Sequence, residues 1–186
     1  MFPLAILIGI YSYAIFGLGV VHMLYPMIII AVTILWLVGV VVWFRDSFLH
    51  HFPKIRNVLQ AIRALPLFPR ALVVILVLLW SVNLIGVLAP ERAFDAVWYH
   101  LTIPKIFLQN NSIFFIPGGL FYYSLMPKLV DLIYIPALIT GTAVAAKFVH
   151  YAFGVLVLVV LYKLSRHFLP LSLTLLVLVL FSSKLV

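Results

Sequence analysis

Four acidic side chains serve a chain of 186 residues, and two of them, Glu91 and Asp95, stand one helical turn apart. Asp95 opens a stretch, AFDAVWYHLTIPKIF over residues 93–107, that sets Asp95, His100 and Lys105 among aromatic and aliphatic residues. A carboxylate kept in such company can act as a general base, taking a proton from a hydroxyl or an amine. It can equally cap a helix over AVWYHLTI by accepting hydrogen bonds from the first free amides. The two readings are compatible, because a cap also fixes the carboxylate. Glu91 is the other acid able to serve or assist. His100 could shuttle a proton or bind phosphate, and a packed interfacial histidine is the plainer alternative. Arg92 and Lys105 could counter the charge of a phosphate or simply anchor the chain at lipid head groups. Tyr99, beside His100, completes the set of expected substrate contacts. With no cysteine and no HxxxH or HExxH spacing, no metal cluster is expected. No cofactor is indicated, and a divalent metal is compatible with the acids without being called for.

The elements that position these residues are membrane spans. Hydrophobic residues make up 67% of the chain and charged ones 9%, with a mean hydropathy of +1.30, whereas soluble domains carry about 25% charged residues. Runs near the ~20 apolar residues that cross a bilayer occur at 2–21, 27–44, 71–89, 129–145, 147–162 and 171–186. The N-terminal run has no basic n-region and is too long for the core of a cleavable signal, so it reads as a retained span. The expected fold is all-α, a polytopic transmembrane helical bundle of about six spans. The first two form an antiparallel hairpin over residues 1–44.

Residues 45–70 carry Arg45, Lys54, Arg56, Arg63 and Arg70 against Asp46 alone, which places this loop in the cytoplasm. Phe48, Phe52, Ile55, Leu59 and Ile62 recur at helical spacing, with Pro53 suited to a first turn, so the loop reads as an amphipathic helix on the inner leaflet. The net charge of +8 therefore sets orientation beside membrane lipids, and no nucleic-acid partner is expected. Residues 90–127 then lie outside, as an extracytoplasmic loop of short interfacial helices. Phe94, Val97, Trp98 and Leu101 are expected on one helical face, Pro104 at the start of a second short helix, and Trp98, Tyr99, Tyr122 and Tyr123 at interfacial depth. NNS at 110–112 matches a glycosylation sequon. Beyond residue 128 the pattern conflicts with the charge rule. Six straight spans would leave Lys163, Arg166 and His167 outside, unless residues 129–163 are broken near TGT at 140–142.

The order FDAVWYHLTIPKIFL, YSLMPKLVDLIYIPAL and AAKFVHYAFGVLVLVVLYKLSRHFLP resembles the N-terminal part of bacterial and archaeal polytopic glycosyltransferases of the GT-C superfamily. These are relatives of the protein O-mannosyltransferases and the lipid A aminoarabinose transferases. The resemblance spans residues 71 to about 170, making 71–186 a partial module of that kind and the chain an N-terminal piece of a longer enzyme. It implies a prokaryotic plasma-membrane protein that transfers a sugar from a polyprenyl-phosphate-linked donor to a glycan, lipid or protein acceptor outside the cell. Asp95 matches the family's essential acid shortly after a span. Many members carry a second acid directly after it, where this chain has Ala96. The competing expectation is a non-catalytic membrane subunit or scaffold, or else a transporter fragment. Polar residues inside a transporter's spans would mark its path, and here they are few: Asn83, Asp131, Lys147 and His150.

Overall fold

The structure, a computed structural model, describes residues 2–51, 55–118, 121–126 and 129–184. Among these every regular element is helical. Four helices are long and apolar enough to cross a membrane: α1 (Phe2–Val20), α2 (Pro26–His51), α4 (Leu67–Leu88) and α8 (Ala143–Phe168). The other two expected spans are shorter apolar helices. Residues 129–138 divide into α6 (Leu129–Leu132) and α7 (Tyr134–Leu138), and α9 covers Leu171–Ser182. Pro136 supplies the physical reason for the first division. Its ring excludes a donor and clashes with the carbonyl four residues back, so a helix cannot run through from Leu129. Gly141, at φ +80°, then turns the chain after α7. Lys147, expected at the start of the fifth span, falls in the second turn of α8.

The loop between α2 and α4 also departs from expectation. The second helix runs on to His51, so Phe48 belongs to α2, and the amphipathic helix is the shorter α3 (Ile55–Ala64). Pro53 lies outside the described residues. Arg70 donates to the carbonyls of Arg63 and Leu65, closing the corner into α4.

The chain forms two compact units. One comprises Met1–Arg45 with Pro90–Val149, the other Asp46–Ala89 with His150–Val186. In the first, α1 and α2 form the expected hairpin. The Trp36 indole N–H donates to the Leu7 carbonyl at 2.8 Å, and Tyr11 and Thr33 share a hydroxyl hydrogen bond of 2.7 Å. The turn between them is closed by the loop at 111–113: Leu24 N–H donates to Asn111 O, and Ile113 N–H to Gly19 O. A Cβ at Gly19 would stand 2.4 Å from the Ile113 side chain, so any larger residue there must push Ile113 aside. Tyr11, Ile15, Ile29, Ile103, Phe107 and Ile135 lead the core of this unit.

In the second unit α4 packs on α9 through Leu72, Leu175 and Leu178. Trp80 of α4 donates to Ser182 Oγ at 3.0 Å and meets the Tyr151 ring edge-on. Gly154 leaves room for the same indole, since a Cβ there would lie 2.8 Å from it.

Candidate functional site

The segment after α4 is held by the acid that was expected to assist. Glu91 Oε1 accepts from the Arg92 amide at 2.9 Å and the Ala93 amide at 2.8 Å, while Oε2 stands 3.5 Å from Lys147 Nζ. Both side chains are about four-fifths buried, at 17% exposure for Lys147 and 19% for Glu91. The Ala93 amide above all, then the Arg92 amide and the Lys147 charge, hold the Glu91 carboxyl below its ordinary value against the opposing effect of burial. Glu91 is thus committed to fastening this segment to α8.

Asp95 does not cap a helix. Its backbone is already helical at φ −63° and ψ −38°, and its carboxylate makes no capping hydrogen bond. The helical run begins upstream, with Val97 N–H donating to Ala93 O, so the Val97 amide that a cap would serve is taken. Asp95 is left exposed.

From Ala96 to His100 the chain forms a π-helical turn, closed by Leu101 N–H donating to Ala96 O and by the Thr102 hydroxyl on Val97 O. Such turns take one residue more than an α-turn, which changes the faces that follow. The expected common face of Phe94, Val97, Trp98 and Leu101 is therefore split. Phe94 and Val97 are exposed, whereas Leu101 packs against the cluster of Tyr134, Leu138 and Ala146. Helix α5 (Thr102–Gln109) starts two residues before Pro104, which sits in its first turn with Ile103 and Phe107 buried beside it.

The rings of this turn meet those of the turn at 122–125. Tyr99 stacks on Tyr123 with centroids 4.5 Å apart and planes 13° apart, and Trp98 meets Tyr123 edge-on at 5.0 Å. Tyr122, in the short 3₁₀ turn Tyr122–Leu125, stacks on Tyr123 in turn. The Tyr123 phenol is pushed up to about 12, first by its hydrogen bond with Tyr122, then by burial and the neighbouring Tyr122, Tyr99 and Asp95. Burial raises Tyr99 as well, with the charges of Asp95 and Asp131 adding to it. Both carboxylates thus act on one phenol.

His100 meets a partner that sequence spacing did not suggest. Its Nδ1 lies 2.8 Å from Oδ1 of Asp131, a side chain 8% exposed, while the imidazole itself is 45% exposed. The two are 31 residues apart. Arg92 and Lys105, expected to counter a phosphate, are exposed and make no side-chain hydrogen bond or ion pair among the described residues. The sequon is occupied with local structure: the Asn110 amide donates to Ile106 O, Asn111 has φ +51°, and Ser112 is buried. In the same unit an apolar cavity of about 470 Å³ is lined by Phe16, Phe107, Phe114, Met126, Leu129 and Leu132 among others.

The arrangement assembles Asp95, His100 with Asp131, and a shelf of tyrosines. Among the described residues no three His, Asp or Glu side chains are grouped to hold a metal ion. Rings flanked by carboxylate, imidazole and phenol groups suit a ligand with hydroxyls and an apolar face. No family model matches the chain, and no curated protein or solved structure matches it.

Proposed function

We propose that this chain works as a membrane glycosyltransferase, moving a sugar from a polyprenyl phosphate donor to a glycan, lipid or protein acceptor on the extracytoplasmic side. The observation that carries this reading is Asp95: an exposed carboxylate without capping bonds, beside the Tyr99–Tyr123 stack. A pyranose would lay its C–H face on such rings and turn its hydroxyls towards the carboxylate and the imidazole. The resemblance of residues 93–107 to the first outer loop of the GT-C enzymes supports the same reading. The apolar cavity of the same unit offers a lipid-borne donor a place for its tail.

In the reaction the acceptor oxygen attacks the anomeric carbon. Its proton passes to Asp95, and the bond from carbon to phosphate oxygen breaks with its electron pair staying on the phosphate. Tyr99 and Tyr123 bind the sugar, and His100 contacts the donor. Glu91 serves from a distance, by fixing through Lys147 the segment that carries Asp95.

The test uses the intact protein in its membranes, with polyprenyl phosphates of mannose, glucose and arabinose as radiolabelled donors. Asp95→Asn should lower transfer by about 10²- to 10⁴-fold, the usual contribution of a general base, with insertion unchanged. Transfer at the wild-type rate would remove Asp95 from the chemistry.

A further inference from the structure

The His100–Asp131 pair is built from two separately fixed elements. His100 ends the π-helical turn locked by Leu101 N–H and the Thr102 hydroxyl. Asp131 sits on α6, which is only four residues long but is pinned to α1 where the Ser12 hydroxyl donates to Leu129 O at 2.8 Å. With Nδ1 engaged by a buried carboxylate, Nε2 is the ring nitrogen left to the open side. When the ring is protonated it donates from both nitrogens, Nδ1–H to Asp131 and Nε2–H outward. The groups facing it are Tyr99 from its own turn, at 4.2 Å between centroids, and Asp131 from α6. Tyr134 of α7 lies within reach of the Asp131 charge, and Asp95 within reach of Tyr99.

We propose that His100, oriented by Asp131, is the general acid of the transfer, acting on the phosphate that leaves. The proposal rests on the glycosyl-transfer reading and deepens it by giving the departing group its own proton donor. The glycosidic carbon loses its phosphate oxygen, which keeps the bonding pair and takes the proton from Nε2. The new bond forms to the acceptor oxygen, whose proton goes to Asp95. Afterwards Asp95 returns a proton to water and the imidazole regains one, so the cycle closes without any other reactant. Asp131 touches no reacting atom and is a positioning residue.

The experiment follows release of label from radiolabelled polyprenyl phosphate mannose, glucose and arabinose by the full-length protein in lipid nanodiscs, as a function of pH. An acid works only when protonated, so the wild-type rate should fall on the alkaline side. His100→Ala should lower the rate about 10²- to 10³-fold, in the range of general acid catalysis, and abolish that alkaline limb. Asp131→Asn should lower the rate about tenfold or more. In long-range ¹H–¹⁵N spectra of histidine-labelled protein it should also replace the wild-type Nδ1–H form of His100 by a mixture. His100→Ala active at the wild-type rate, or slowed equally at all pH values with the alkaline limb intact, would overturn the acid role and leave the transferase reading standing. Wild-type protein that releases label from none of the three donors would overturn both. A wild-type spectrum lacking the Nδ1–H form would overturn the orienting role of Asp131.

Discussion

Glu91 and Asp95 carry the same charge four residues apart, and their surroundings give them different work. Glu91 spends both oxygens on the Arg92 and Ala93 amides and on Lys147. Asp95 spends none on the helix that follows it. Glu91→Gln should therefore destabilise the folded protein by about 1–2 kcal/mol, the scale of a lost, partly buried charged hydrogen bond, read as a fall in Tm. Asp95→Asn should leave Tm nearly unchanged. The sign with pH follows from a carboxyl held below its usual 4.5. Its contribution is complete above that value and is lost as pH falls through the lower folded pKa. The gap in Tm between wild type and Glu91→Gln should accordingly persist at neutral pH and close only below about 4.5. A gap already closed at neutral pH would assign the anchoring of this segment to other contacts.

At the scale of elements, the α1–α2 turn depends on the bare Cα of Gly19 against Ile113. Gly19→Val should force Ile113 aside and cost about 1–3 kcal/mol, as overpacking does. Gly17→Ala has open space around the new methyl and is the control. Equal Tm values for the two variants would show that the loop at 111–113 yields freely. The long helices were legible because an apolar run of about 20 residues has few other uses. The expected span at 129–145 was not real as one helix, and its signals were present in Pro136 and Gly141, masked by the hydropathy around them. Asp95 and His100 could be singled out from a single stretch of chain. The pairing of His100 with Asp131 could not, since it depends on a π turn that shifts the helical register and on a contact between residues distant in sequence. The anchoring by Glu91 escaped for the same reason, because Lys147 looked like part of a span.

For the molecule as a whole, the short α6 and α7 allow a topology in which the conflict with the charge rule does not arise. If they do not cross, α8 begins on the side of Glu91, as the contact with Lys147 requires, and runs back to end at Lys163, Arg166 and His167. That end is then expected on the same side as Arg63 and Arg70. The chain has no cysteine, so single cysteines can report their side directly. Lys163→Cys and Arg63→Cys should react with a membrane-impermeant maleimide from the same face, and Phe94→Cys from the other. Labelling of Lys163→Cys together with Phe94→Cys would restore an additional crossing between residues 129 and 142.

The π-helical turn also has a bearing on heredity. It amounts to one residue more than an α-helix would use between Ala96 and His100. Loss of a single codon there would keep the hydropathy profile, both acids of the site and the histidine. An ordinary α-turn spans the same rotation with one residue fewer, so the shortened chain would close it with His100 still facing Asp131. A gene could discard the extra residue without discarding the pairing, and a lineage that had done so would differ by one gap and keep both partners in place.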